Sequence, residues 1–283
     1  MIIYKTCTDV PISEIFEAFS LGFSDYIIPL TMSQDAFEAR FFGPEGNALS
    51  LSFIALDQSR PIGLILGGIR VFDGLKTMRC GTLCISPDYR GQGISQRLFE
   101  MHKSAALTSR CKQLFLEVIK NNYRAVKFYE NCHYKHVYTL KYYSSIIQAI
   151  SSSADTLAYT MKQVSFDNLE TFRKSLTDCH INWQSDTPCY AFSRDEVLLG
   201  AYEGDGQVAL IAMSPQGKIN FLWVHPTYRN QGLGRSMIQK ATQAQNVEKV
   251  TICLPNNSSL EGFLRKLRFQ KDPIEQHEMY LPL

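Results

Sequence analysis

The chain has 283 residues, 45% of them hydrophobic and 20% charged, with a net charge of +2, which describes a folded globular protein long enough for two cores. That charge divides as 16 basic less 13 acidic residues, or +3, over positions 1–150 and 13 less 14, or −1, over the rest, so neither half has the basic excess of a nucleic-acid binder. Eight scattered cysteines with no C-x-x-C or compact Cys/His set exclude a zinc framework and point to buried thiols in a reducing compartment; Lys5 interrupts any signal-peptide pattern and the longest apolar run, 61–69, is too short to cross a bilayer, so the expectation is a cytoplasmic protein with no metal, nucleic acid or membrane as partner.

In chain order, residues 2–6 predict a strand and Pro11–Phe19 a helix, with Ile12, Ile15, Phe16 and Phe19 on one face. Asp9 is placed to cap that helix, two residues before a proline that a first turn tolerates. The aromatic stretch Phe23–Leu30 has no period and reads as a loop wall. A second helix is predicted over Ser33–Phe42, stopping at Gly43-Pro44. Strands follow at Leu49–Asp57, Ile62–Phe72 and Leu75–Ile85, separated by Ser59-Arg60-Pro61 and Asp73-Gly74, both turn chemistry. After a glycine-rich turn, Ile94, Leu98, Met101 and Ala105 mark one helix face. Leu114–Ile119 reads as a strand, Asn121–Asn131 as a short helix and Tyr134–Tyr143 as a closing strand or pair of strands.

A serine-rich segment then divides the chain into a first domain over 1–145, a linker over 146–155 and a second domain over 156–283. The second half restates the plan: strand Leu157–Val164, helix Phe166–Leu176, a loop holding Trp183 and Pro188, strands Val197–Tyr202, Val208–Ser214 and Lys218–Val224, and another glycine turn. Pro87, Tyr89, Arg90, Gln92 and Gly93 recur 139 residues later as Pro226, Tyr228, Arg229, Gln231 and Gly232, while Asn122, Phe128 and Tyr134 recur 135 later as Asn257, Phe263 and Phe269. Matches this dense, in order and interrupted by one short deletion, indicate a duplicated domain.

Each copy runs an apolar strand into Pro-x-Tyr-Arg, a glycine turn and a helix start. Such a turn holds phosphates, because free backbone N–H groups and the positive end of the helix dipole converge on it and glycine lets the backbone come close. The first copy offers Arg90, Gly91, Gln92, Gly93, Ile94 and Ser95; the second offers Arg229, Asn230, Gln231, Gly232, Leu233 and Gly234. These stretches resemble the signature Arg/Gln-x-x-Gly-x-Gly/Ala of the GNAT acetyltransferase superfamily, whose turn binds the pyrophosphate of acetyl-CoA. Gly234 completes the match in the second copy; Ser95 replaces the last glycine in the first, keeping its N–H and adding a small hydroxyl. The resemblance extends over Asn122–Tyr134, similar to the family's last helix and following strand, and with both copies it covers nearly the whole chain. Arg-Gly-x-Gly also occurs in disordered RNA-binding tails, but not between a strand and a helix.

The resemblance implies an α/β protein of two tandem GNAT-like domains, each a mixed, largely antiparallel twisted sheet flanked by helices, using acetyl-CoA as co-substrate. Both turns and Asn122 would bind CoA, and the backbone of Leu83, Cys84 and Ile85 would pair with the pantetheine arm and polarise the thioester carbonyl. Tyr129 would protonate the leaving thiolate, and Glu117, set in an apolar strand, would accept the amine proton, directly or through water. On the residues alone, Tyr129 can equally be a core aromatic, and Glu117 a strand glutamate facing solvent or paired with a neighbouring cation. Cys84 reads as a packed thiol, since an acyl-cysteine route needs an adjacent base. The second copy has Ile252 and Leu264 at the Glu117 and Tyr129 places, so catalysis is expected in the first domain. His133 and Arg268 occupy positions where the family's last helix ends in glycine, so that cap must be made differently. His133 and His136, lacking a third ligand, read as surface groups rather than metal ligands.

The expected activity is acetyl transfer to a primary amine of a small molecule by direct attack in a ternary complex. The acceptor would lie between the first turn and the Phe23–Leu30 loop, where Asp25, beside Tyr26, would attract a cationic amine. Two rivals stay open: acetylation of a protein or peptide N-terminus, which wants an open groove, and a non-catalytic acyl-CoA-binding regulatory protein with the second domain as ligand or dimer module. A homodimer and the number of CoA molecules bound are open as well.

Overall fold

The computed structural model describes residues 1–147, 159–176, 180–190 and 195–283, which divide into two compact units, Met1–Tyr138 with Gln276–Leu283, and Thr139–Glu275. In the first unit β1 (Ile2–Thr6), β2 (Phe53–Asp57), β3 (Arg60–Phe72), β4 (Leu75–Ile85) and β5 (Gln113–Ile119) lie side by side in that order. β1 to β4 are mutually antiparallel, and β4 and β5 run parallel across the crossover. Helices α1 (Ile12–Gly22) and α2 (Gln34–Phe41) pack on one face with Ile54, Leu56, Leu64 and Leu66; α3 (Ile94–Thr108) and α4 (Tyr123–Asn131) pack on the other with Phe53, Ala55 and Ile65. Burial on both faces explains why these central strands read as continuous apolar runs rather than as alternating ones.

The second unit repeats the plan. β6 (Lys135–Ile146), from residue 139 onward, borders β11 (Lys249–Leu254), followed by β10 (Lys218–Val224), β9 (Gly206–Met213), β8 (Val197–Glu203) and β7 (Thr160–Gln163). α7 (Leu233–Gln245) and α8 (Ser258–Lys266) cover one face, and α5 (Phe166–Ser175) the other, beyond which lies the short α6 (Thr187–Tyr190). The last strand is β12 (Gln270–Pro282).

The units differ from the contiguous halves that the sequence predicts, because the closing strands are exchanged. Residues 141–146 pair antiparallel with β11, from Lys141↔Leu254 to Ile146↔Lys249, and Tyr143 is buried in the second unit's core. Residues 276–282 of β12 pair antiparallel with β5, placing Met279 and Leu281 in the first unit's core. The expected linker over 146–155 lies, from residue 148 on, outside the described residues, as do the first two residues of the predicted Leu157–Val164 strand.

Local chemistry sets the helix ends. Asp9, expected as a cap, sits instead in a short 3-10 turn, and α1 begins after Pro11 with no side-chain cap. The seryl and asparaginyl caps are at Ser33, Asn122, Ser165 and Asn257, each accepting from the N–H three residues on. Leu49–Leu51, predicted as strand, is likewise a 3-10 turn. No described helix is long and apolar enough to cross a membrane.

Candidate active site

β4 pairs with β5 only as far as Cys80↔Leu116. Beyond that point Leu83, Cys84 and Ile85 keep β3 on one edge and have no ladder partner in β5 on the other. The chain then turns through Pro87–Tyr89 into the glycine turn, where Gly91 and Gly93 have φ of 77° and 79°. A Cβ at either would meet nothing within 4 Å, so it is the left-handed backbone that requires glycine, and the space above is open. α3 starts on Gly93 with no side-chain cap and no acidic residue in its first turn. The N–H groups that Ser33 or Asn122 satisfies in α2 and α4 are thus left for an anion here.

A cleft of about 230 Å³ opens beside this turn. Its walls bring together Leu83–Ile85, Arg90, Gly91, Ile94 and Ser95 with Asn122 and Tyr129 of α4 and with Asp25 and Tyr26 of the Phe23–Leu30 loop. Gln92 and Gly93 shape the turn without lining the cleft; Gln92 bonds back to the Asp88 carbonyl at 3.4 Å. Phe23 and Ile27, from the stretch expected as a loop wall, and Phe128 also line it, as does Arg124, which no sequence signal had singled out.

The side chains are engaged as follows. Arg90 donates to Asp25 through both terminal nitrogens and to the Ile85 and Gly22 carbonyls, so its guanidinium is committed to the loop rather than to the rim of the phosphate turn. This pairing holds the Asp25 carboxyl below its ordinary range and the Arg90 guanidinium above its own. Asn122 spends its carboxamide oxygen on the Ala125 N–H at 3.2 Å, capping α4. Tyr129 is buried, with its hydroxyl 4.0 Å from the Cys80 sulfur. Burial pushes the Tyr129 phenol well above 10, so it stays protonated at any physiological pH. Cys84 is a packed thiol, donating to the Ala18 carbonyl at 3.7 Å and raised by burial.

Glu117, expected as the proton acceptor, does not line the cleft. Its carboxylate accepts from Arg79 at 2.8 Å, with Glu117 at 1% and Arg79 at 6% side-chain exposure, and Arg79 also reaches Glu45 at 3.3 Å. β5 alternates, and Leu114, Leu116 and Val118 take the α3/α4 face, which leaves residue 117 for the other side of the sheet. His133 and His136 join no group of described residues that could hold a metal ion.

The second unit has a corresponding cleft of about 720 Å³. β10 and β11 pair only at Lys218↔Thr251 and Ile219↔Ile252 before parting. α7 starts on Gly232 at φ 84°, again with no side-chain cap and no acid in its first turn. Arg229, Asn230, Gly232, Leu233 and Gly234 line the cleft, whereas Gln231 bonds Thr227 and Tyr159. A Cβ on Gly234 would stand 3.0 Å from the Phe263 ring, so this glycine answers to packing. Leu264 is fully buried where α4 carries Tyr129. Asn182, Ser185, Asn220 and Cys253 also line this cleft, from a loop and strand ends that carry no periodic signal.

Residues 13–134 match the profile of the "Acetyltransferase (GNAT) family" and residues 194–271 that of the "Acetyltransferase (GNAT) domain". Over 97 residues, 32% of this chain, it is 35% identical to N-alpha-acetyltransferase 30 of Schizosaccharomyces pombe, and over 68 residues, 23% of this chain, 38% identical to N-alpha-acetyltransferase 60 of Xenopus tropicalis. Those stretches span 63% and 28% of the two relatives' own lengths. Among solved structures it shares its fold with a GCN5-related N-acetyltransferase from Sphaerobacter thermophilus, at TM-score 0.72 and 12% identity over 99% of this chain and 95% of that one. A tandem GNAT protein from the clavulanic acid biosynthesis pathway aligns at TM-score 0.68 and 13% identity, over 100% and 98%. Acetyl-CoA is the co-substrate that membership of the family implies, and with two matching domains that together take in most of its length, the chain belongs to the GNAT acetyltransferases as a tandem, two-domain member.

Proposed function

We propose that the first unit transfers an acetyl group from acetyl-CoA to a primary amine of a small molecule by direct attack. One observation carries this reading: a single cleft is lined by the uncapped glycine turn, the open edge of β4, Tyr129 and Asp25.

Acetyl-CoA, when bound, supplies an acetyl group activated as a thioester. The turn at 90–95 and the first N–H groups of α3 hold its diphosphate. The free edge of Leu83–Ile85 receives the pantetheine amides as a neighbouring strand would, and offers backbone N–H to polarise the carbonyl. Tyr129, kept protonated by burial, donates to the departing sulfur. Asp25 is the one carboxylate among the described lining residues, and it draws a cationic amine toward the cleft. The ammonium first loses a proton to solvent, since only the neutral amine attacks; a C–N bond then forms as the C–S bond breaks, the nitrogen gives up its second proton to solvent, and the sulfur gains one from Tyr129, which takes a proton back from solvent. In the second unit Leu264 stands at the place of Tyr129 and offers no such donor, and the unit is read as non-catalytic.

The narrow cleft under a loop tied down by Arg90 favours a small acceptor. A second reading, acetylation of a peptide N-terminus, draws on the similarity to two N-alpha-acetyltransferases. Steady-state turnover of acetyl-CoA with a panel of small primary amines and short peptides, followed by release of free thiol, tests both. Preference for small amines by at least about ten-fold in kcat/KM, about 1.4 kcal/mol, supports the proposal, and preference for peptides selects the second reading. CoA binding without turnover of any acceptor would make this a non-catalytic acyl-CoA-binding protein.

A further inference from the structure

We infer that the cleft of the second unit binds a CoA thioester whose acyl group carries a hydrogen-bonding substituent, such as a hydroxyacyl group, and that it binds this ligand without transferring it. The inference rests on reading the glycine turns as CoA turns, and it goes further by naming the acyl class of the second site.

The cleft is one continuous space from the turn at Arg229–Gly234 to an inner end formed by residues 182–185 and the diverging ends of β10 and β11. At the turn end, α7 presents uncapped N–H groups with no acid nearby. The inner end is polar and withdrawn from water: Asn182 is 1% exposed, Ser185 2%, Cys253 7% and Asn220 8%. Ser185 Oγ is buried with no hydrogen-bond partner among the described residues, although the residue lines the cleft. Asn182 Nδ2 donates to the Cys253 sulfur at 3.7 Å, a weak acceptor. A buried hydroxyl without a partner is a standing cost of the folded state, and a ligand group that can donate to it or accept from it removes that cost on binding.

The first unit provides the contrast. There the corresponding gap between strands is bordered by Leu83, Cys84, Phe23 and Tyr129, and Cys84 is pressed against Gly22, where an added Cβ would fall 2.5 Å from the sulfur. That end suits a small apolar acetyl group. By sequence offset, Asn220 stands in the second copy where the first has Gly81, so this polar side chain on the strand is particular to the second copy. Residue 264, at the place of Tyr129, is leucine, so the acid proposed for the first unit has no counterpart at that position, which is why binding rather than transfer is assigned.

Isothermal titration of the full chain with CoA, butyryl-CoA and 3-hydroxybutyryl-CoA tests the inference. Two CoA sites per chain are expected, one of which prefers the hydroxylated thioester about ten-fold, the effect of one added hydrogen bond. Ser185→Ala should reduce that preference to within about two-fold, and Asn182→Leu, a second variant, should weaken it independently; thermal melts establish that each variant is folded. Equal affinity of the wild-type chain for the two acyl thioesters overturns the assignment of the acyl class. A single CoA site per chain overturns the second site while leaving the proposal for the first unit intact, and failure of any CoA species to bind overturns both.

Discussion

The Asp25 carboxylate accepts two hydrogen bonds from the Arg90 guanidinium, at 2.5 Å from Nη1 and 2.7 Å from Nη2. Because Arg90 also reaches the carbonyls of Ile85 at 3.0 Å and Gly22 at 3.3 Å, one side chain ties together the end of α1, the end of β4 and the glycine turn. The Phe23–Leu30 loop and the glycine turn are therefore parts of one clamp, although 65 residues separate Asp25 from Arg90 in sequence.

Replacing Asp25 with Asn removes the charge from that clamp. The acceptor KM is expected to rise about ten-fold for a cationic amine, the scale of one partly screened charge pair, with kcat less affected. The arginine holds the Asp25 pKa below 3.8, so the pair is complete above that value and is lost only as pH falls through the lowered one. Wild-type acceptor KM should thus show no break from carboxylate titration between neutral pH and about pH 4; a break at about pH 4, where an unpaired aspartate titrates, would show that the ion pair does not form in solution.

Tyr129→Phe tests the proposed proton donor. The hydroxyl lies 4.0 Å from the Cys80 sulfur, a weak contact, so its removal should leave the melting temperature nearly unchanged. Turnover should drop by about a hundred-fold or more if the phenol protonates the thiolate. Unchanged kcat in a folded variant would reduce Tyr129 to a packing residue of α4.

His102 of α3 is fully buried, neither ring nitrogen has a hydrogen-bond partner among the described residues, and desolvation lowers its pKa to about 3. Between that value and the ordinary 6.5, the unfolded chain binds a proton that the folded chain refuses. Stability of the first unit is then full above about pH 6.5 and declines by up to about 1.4 kcal/mol per pH unit below it. Urea midpoints at pH 7 and pH 5 should differ accordingly, and His102→Leu should flatten the difference.

What could be read from the sequence was what local chemistry dictates. Gly93 and Gly232 adopt positive φ at helix starts, a requirement that leaves a glycine in the chain, and the Pro-x-Tyr-Arg before each made the turns legible. Tyr129 followed from the helix after Asn122. Glu117 did not, since an acid in an apolar strand looks the same whether its face meets a cleft or, as here, an arginine 38 residues away on another strand. The exchange of closing strands was hidden for a related reason: residues 139–146 and 276–282 are both amphipathic segments able to complete an antiparallel edge, and only tertiary pairing decides which unit each completes. Asn182 and Ser185 lie in a loop whose sequence has no period, so their meeting with Cys253 across 71 residues had no local signature.

The Arg79–Glu117 pair makes its own prediction. Removing one partner of a buried ion pair leaves Arg79 with Glu45 as its remaining counter-ion, so Glu117→Gln should destabilise the first unit by roughly 1–3 kcal/mol. Its kcat at a permissive temperature should stay within about three-fold of wild type, well short of the hundred-fold loss typical of a missing acid or base. The double variant Arg79→Met with Glu117→Met should recover part of the lost stability, because no buried charge is then left over between those two positions. A hundred-fold loss of kcat in folded Glu117→Gln would restore this residue as the base.

The ends of α4 and α8 share one geometry, and both copies make it without glycine. Tyr134 N–H bonds the Tyr129 carbonyl at 3.0 Å and His133 N–H the Glu130 carbonyl at 2.9 Å; Phe269 and Arg268 make the same pair of bonds to Leu264 and Arg265, each at 3.0 Å. This is a Schellman cap, and its penultimate residue must enter the left-handed region, as His133 does at φ 71° and Arg268 at φ 61°. A side chain there costs roughly 1–2 kcal/mol in backbone strain, partly offset because glycine would lose more entropy on folding. His133→Gly and Arg268→Gly should therefore each stabilise their own unit by about 0.5–1 kcal/mol, raising its melting temperature by about 2–3 °C. Calorimetric scans resolve the two because each substitution should move one transition; a variant that lowers its transition would mean that the His133 or Arg268 side chain contributes more than the strain it imposes.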